Sequence, residues 1–219
     1  MIRQALAVCV AMLMSMATAQ ADGMRLWQEG DALLSQQGEW KAGVGWKLTS
    51  ADSSTRLHGW ELKPKLQRRL SSWLDAAATY KFARGRAADD SWTTAHTLEL
   101  DLAMSGGLGP HNTQLTHRLG IVNPAAGGVL YRYHSIPKID WRPAGLAEAW
   151  SMDSVLECIY DFRQSTWIET KLTPLRLKRR ADGGGTWSLA YLLNHKRPGS
   201  SEPWHRDHVI VLAVTLDLT

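Results

Sequence analysis

An acyl-transfer site needs a hydroxyl nucleophile within hydrogen-bond reach of an imidazole base, and the adjacent pair His134-Ser135 supplies both groups. Neighbours on an extended strand point to opposite faces, so those two side chains do not meet there. His96, His117 and Ser154 would each need a partner on another segment. His205 and His208 stand three apart, which does not align them on a strand, and in a loop they read as a solvated pair before they read as metal ligands. The residues therefore predict no enzyme: no catalytic residue, no metal site and no cofactor.

The more abundant chemistry is ionic. Glu61, Lys63, Glu99, Asp101, Arg118, Arg132, Glu157, Asp161, Glu169 and Lys171 all fall in runs whose alternate positions are apolar. Leu98, Leu100 and Leu102 alternate with Thr97, Glu99 and Asp101. Leu156, Cys158 and Tyr160 oppose Glu157 and Asp161, and Ile168, Thr170 and Leu172 oppose Glu169 and Lys171. Lys65, Asp75 and Lys81 follow the same rule. A period of two places the charges on one face of a strand and the apolar groups on the other.

The elements that must position these charges are strands. A unit of strand and turn recurs along the chain. Trp40, Ala42, Val44, Trp46 and Leu48 share a face, as do Leu74, Ala76, Ala78, Tyr80 and Phe82, and as do Trp187, Leu189, Tyr191 and Leu193. The last run is the clearest. His208, Ile210, Leu212, Val214, Leu216 and Leu218 lie on one side, and Val209, Val211, Ala213, Thr215 and Asp217 on the other. That length suits one crossing of a bilayer. The first run, Leu26 to Leu34, alternates poorly. Pro64, Pro137 and Pro174 fall inside strand-like runs, where each removes a ladder hydrogen bond, so bulges or strand ends are expected there.

The front end adds a destination. Arg3 precedes an uncharged apolar run from Ala5 to Ala19, and Ala19-Gln20-Ala21 offers small residues for cleavage before Asp22, with Ala17-Thr18-Ala19 as the rival site. The run is shorter than the ~20 residues of a spanning helix, and no later stretch supplies that length. Residues 1–21 are read as a signal peptide and 22–219 as one domain. After cleavage only Cys158 remains, which excludes an internal disulfide. Twenty-five Lys and Arg against 21 Asp and Glu give a net charge of +4. The two signs are interleaved, so no nucleic-acid tract is formed. Eleven Trp against two Phe is a composition that suits membrane–water boundaries.

Several short motifs follow one another along the chain: Leu26-Trp27-Gln28-Glu29, Pro64-Lys65-Leu66, Arg69-Leu70-Ser71-Ser72-Trp73, Leu98-Glu99-Leu100, His117-Arg118-Leu119, Tyr131-Arg132-Tyr133, Thr173-Pro174-Leu175-Arg176-Leu177 and Asp207-His208-Val209. Their order resembles the DUF2490 family, a group of bacterial outer-membrane β-barrel proteins of unknown function. The resemblance spans nearly the whole mature chain. It implies a barrel and carries no activity or catalytic residues with it. Such barrels usually end on an aromatic residue, whereas this chain ends Leu218-Thr219.

The expected architecture is all-β: an antiparallel up-and-down transmembrane β-barrel. Eleven strand-like runs can be counted, but bacterial single-chain barrels have an even number. The expectation is therefore 10 or 12 strands, with the Leu26 segment left in the periplasm or one strand uncounted. A midplane Lys or Arg facing lipid costs ~2–4 kcal/mol, so the ionic face must line the lumen. A barrel of this size is narrow and largely filled by side chains. The expected role is a structural outer-membrane barrel or a narrow, porin-like pore of a Gram-negative bacterium. Its lumen charges would pair into a plug. Its expected partners are outer-membrane lipid, the barrel-assembly machinery and periplasmic chaperones, with no nucleic acid, and a monomer is expected. The alternatives are a soluble periplasmic β-barrel carrying an apolar ligand, and a lipid-modifying barrel enzyme.

Overall fold

The computed structural model of the chain describes residues 24–50, 57–87, 89–125, 127–141, 143, 147–181, 184–197 and 201–219. The signal-peptide reading of 1–21, and the turn that Ala51-Asp52-Ser53-Ser54 suggests by composition, lie outside them. Eleven strands follow one another: β1 (Met24–Gln37), β2 (Trp40–Ser50), β3 (Leu57–Arg69), β4 (Leu74–Arg86), β5 (Trp92–Leu108), β6 (His111–Pro124), β7 (Leu130–Trp141), β8 (Trp150–Asp161), β9 (Thr166–Arg180), β10 (Thr186–Lys196) and β11 (His205–Asp217). Each pairs with the next in antiparallel register, and the sheet closes on itself.

The closure corrects the expected 10 or 12 antiparallel strands. The strand number is 11, and β1 pairs with β11 in parallel, with Met24 opposite His208 and Leu33 opposite Asp217. Parity requires this. With an odd number of strands that alternate in direction, the first and last run the same way. The barrel is therefore mixed, and β1 starts at the end opposite to the one where β11 finishes. The connections after β2, β4, β6, β8 and β10 share the first of these ends, and those after β1, β3, β5, β7 and β9 share the second.

The Leu26 segment is part of β1 and supplies the closing strand. Its weak alternation has a packing cause. Gly30 sits between Trp46 of β2 and Val214 of β11. The Trp46 ring lies over it so closely that an added Cβ would stand 1.9 Å from a ring carbon. An apolar residue in step with the pattern would not fit there. Gly30→Val is expected to break the closing seam by overpacking, a class of change that typically costs ~1–3 kcal/mol and more where a ring cannot move aside. The midpoint of urea unfolding for the folded protein checks this, and an unchanged midpoint would mean that the ring does not occupy the site.

The faces segregate as the alternation predicts. On β5, Leu98, Leu100 and Leu102 are 39%, 43% and 50% exposed on the outside, while Thr97, Glu99 and Asp101 are 5%, 5% and 8% exposed inside. The outer surface carries Leu62, Leu66, Leu119, Leu175 and Leu189 as well. Part of the interior is apolar: Ala190, Leu192, Val209 and Val211 form a buried cluster on β10 and β11, with Trp27 of β1 packed on it. Ile168 departs from the expected outer face. It lies at the register shift between β8 and β9 and is buried.

The prolines behave in two ways. Pro174 sits where β9 shifts register against β10, a bulge that removes the need for its N–H. Pro64 and Pro137 keep the register on both sides. The ladder from β3 to β4 skips the positions at Lys63 and Pro64, and that from β7 to β8 skips those at Ile136 and Pro137. Each proline thus costs its strand a bond on one side only, and the closed sheet tolerates the gap.

Aromatic residues gather at the strand ends. Trp60, Trp92, Tyr131, Tyr160 and Trp167 lie toward the first end, and Trp40, Trp141, Trp150 and Trp187 toward the second, with Trp73 in the β3–β4 turn. Arginines cover several rings: Arg84 and Arg86 over Trp92, Arg68 over Trp40 and Arg179 over Trp150, all 5.1–5.5 Å from the ring centre.

Candidate functional site

The lumen is the candidate site. A cavity of about 240 Å3 lies across it. All eleven strands contribute to its wall: Trp27 and Glu29 from β1, Lys47 from β2, Glu61 and Lys63 from β3, Lys81 from β4, Glu99 from β5, Arg118 from β6, His134 from β7, Val155 and Glu157 from β8, Lys171, Thr173 and Arg176 from β9, Leu192 from β10 and Val211 from β11. A closed sheet with period-two side chains produces such a ring wherever successive strands place an inward residue at one level.

Most of the charges are paired across neighbouring strands. Arg118 donates to both oxygens of Asp101, from Nε at 2.7 Å and Nη2 at 2.9 Å, and its Nη1 stands 3.2 Å from Glu99. Glu99 also accepts from Lys81 Nζ at 3.1 Å. Glu157 is bonded on one oxygen by His134 Nδ1 at 2.7 Å and on the other by Lys171 Nζ at 3.1 Å. Lys171 extends to Glu169 at 3.9 Å. Lys47 lies 3.6 Å from Glu29 and 3.1 Å above the centre of the Trp27 ring. Multiply bonded carboxylates of this kind satisfy the rule that buried charge needs partners.

A second network lies toward the second end. Lys178 meets Asp153 at 2.5 Å and Asp140 at 2.9 Å, and Lys138 meets Asp140 at 2.7 Å. Arg176 approaches Asp153 at 3.8 Å. Toward the first end Asp207 takes Lys196 at 2.7 Å and Arg25 at 3.6 Å, which ties β1, β10 and β11 together near the seam.

All ten residues expected on the ionic face project inward, but they do different things. Glu99, Asp101, Arg118, Glu157, Glu169 and Lys171 belong to the central networks above. Arg132 and Asp161 form a separate pair at 3.5 Å. Asp161 also accepts the backbone N–H groups of Arg163 and Gln164 at 2.9 and 3.1 Å, so it shapes the β8–β9 turn. Glu61 and Lys63 line the cavity, and neither forms an ion pair with a described residue. The ionic motif missed Glu29, Lys47, Asp140, Asp153, Arg176 and Lys178. Glu29 lies in the poorly alternating first strand, and Arg176 and Lys178 lie beyond the β9 bulge that shifts that strand's inward phase, whereas Asp153 keeps the phase of Glu157 and Asp161 on β8.

The hydroxyl and imidazole groups do not converge. His134 faces inward onto Glu157, while Ser135 pairs with Cys158 on the outer face. Ser154 Oγ donates to the Pro174 carbonyl at 2.5 Å. His96 and His117 bond the phenols of Tyr80 and Tyr133 at 2.5 Å, and His208 bonds that of Tyr191. These three Tyr–His pairs lie on the outer face, diagonally across neighbouring strands, a pattern that was not read from the sequence. Among the described residues no cluster of three metal-binding side chains is present.

Outside the barrel an apolar groove of about 610 Å3 lies against Pro137, between β5 and β9, with Met104, Leu115, Ile139, Leu156 and Leu172 in its wall. Val155 borders both this groove and the lumen cavity. No family model matches the chain, and neither a curated protein nor a solved structure is similar to it.

Proposed function

We propose that the protein is an integral outer-membrane β-barrel of the DUF2490 type whose lumen is closed by ion pairs, and whose role is structural. The observation that carries this reading is the arrangement of the outer surface: an apolar band on a closed sheet, bounded at both strand ends by Trp and Tyr. Membrane barrels carry such aromatic girdles at their two interfaces, and arginines resting on those rings can reach water with their charged heads. Closure satisfies the strand backbone without water, which a bilayer core demands. Membership of the DUF2490 family is part of the same proposal and rests on the order of the sequence motifs.

The test is fractionation of the cell envelope. The protein is expected to remain with the outer membrane after carbonate or urea washing and to show heat-modifiable mobility on gels. Release into the periplasmic extract would contradict the reading and favour a soluble carrier.

A narrow conduit is the second reading, favoured by the cavity to which all eleven strands contribute. Lumen charge tunes selectivity where water enters. Conductance of the purified protein in planar bilayers decides between the two: discrete steps support a pore, and flat traces support a plugged barrel.

A further inference from the structure

The lumen cavity has hydrogen-bond donors to spare and few acceptors left. Its lining holds six Lys or Arg side chains against four carboxylates. The carboxylates of Asp101 and Asp153, which balance Arg118 and Arg176, lie outside the lining. Glu99 and Glu157 are each already bonded by two cationic or imidazole groups, and Glu29 is held by Lys47. An ammonium carries three donors, yet Lys81 and Lys47 each use one ion pair and Lys63 uses none among the described residues. Unused donors turned toward one space favour a guest that accepts hydrogen bonds and carries negative charge.

The opposite wall limits what that guest can be. Trp27, Leu192 and Val211 border the same cavity and belong to or pack on the apolar cluster of β10 and β11. A free inorganic anion would leave this wall facing water. A volume of about 240 Å3 holds roughly eight waters at their liquid volume of ~30 Å3 each, so the guest must be small.

We propose that the lumen cavity binds a small organic carboxylate with an apolar body, its charge met by Lys63 and its body laid against Trp27, Leu192 and Val211. The barrel encloses this site whichever medium surrounds it, so the proposal does not depend on the membrane reading.

The experiment titrates the full mature chain, folded in non-ionic detergent micelles, with benzoate and with benzylammonium of matching size. Empty micelles serve as the blank, and a β-sheet circular dichroism spectrum with a cooperative unfolding transition confirms the fold. Benzoate is expected to bind and benzylammonium is not. Lys63→Gln, which breaks no ion pair with a described residue although Lys63 is the leading cation acting on Asp31, is expected to weaken benzoate about ten-fold or more, the loss of one charge-assisted contact. Glu61→Gln removes the cavity's unpaired carboxylate and is expected to hold or strengthen binding. Binding of neither probe, a preference for benzylammonium, or benzoate affinity unchanged in Lys63→Gln would overturn the proposal. Should Lys63→Gln fail to fold, the comparison of the two probes on the unaltered protein still decides it. A protein that washes off the membrane yet binds benzoate would sink the membrane reading alone.

Discussion

Leu212→Arg is expected to stop the chain from assembling in the outer membrane, while Ala213→Ser, the next residue, is expected to assemble as the unaltered protein does. Leu212 lies in the middle of β11, opposite Gln28 of β1 and Leu189 of β10, on the face that carries the apolar band. In the proposed membrane setting an arginine there would meet lipid near the midplane, at a cost of ~2–4 kcal/mol. Domains hold only about 5–15 kcal/mol in all, and Leu212 sits on the strand that closes the barrel against β1. Ala213 faces the lumen next to Glu29 and Ser188, where a hydroxyl is at home. The heat-modifiable fraction in washed outer membranes measures both variants. Normal assembly of the arginine variant would mean that the two faces are assigned the wrong way round.

Arg118→Met is expected to be the most damaging single change inside the lumen. The guanidinium holds Asp101 through two hydrogen bonds and Glu99 through a third contact, and both carboxylates are nearly fully buried. Methionine fills much of the same space and leaves Asp101 without its partner, while Glu99 keeps only Lys81. Breaking a buried pair from one side typically costs ~3–5 kcal/mol, because the remaining charge is stranded. The double variant Arg118→Met with Asp101→Asn removes that stranded charge and is expected to recover part of the loss. Urea unfolding of the refolded barrel in detergent measures both. A single variant as stable as the parent would show that the lumen ion pairs do not hold the barrel together.

The sequence showed the faces well and the closure poorly. Alternation at Leu98–Leu102 matches an apolar side outward and an ionic side inward because period two is a local property that each strand carries alone, while on β11 the inward side of Val209 and Val211 is itself apolar. The closure depends on the relation between β1 and β11, nearly two hundred residues apart. There the local pattern is disturbed by Gly30, which yields its place to the Trp46 ring. Eleven runs were countable, and only the even-number rule argued for 10 or 12. The rule rests on both ends of the chain lying on one side, whereas here β1 begins at the first end and β11 finishes at the second.

The lumen was legible as a set of charges and not as a set of partners. Which acid meets which base depends on register, and register shifts at the β8–β9 and β9–β10 bulges move Asp153 and Arg176 into reach of one another. Of the apolar patch, only Val209 and Val211 were legible, as the small side of the last strand, and Leu192 was not. Its meaning as one wall of a cavity required Trp27 from the other end of the chain.

The claim on which the membrane reading rests is that the apolar face looks outward into lipid. Spin labels placed singly at Thr97, Leu98, Leu100, Leu102 and Ala103, in a Cys158→Ser background reconstituted into vesicles, test it directly. The labels at Leu98, Leu100 and Leu102 are expected to be open to oxygen dissolved in the bilayer and closed to a water-soluble nickel chelate, and those at Thr97 and Ala103 are expected to be shielded from oxygen. Equal oxygen access at all five positions, or access at Thr97 and Ala103 instead, would contradict the account.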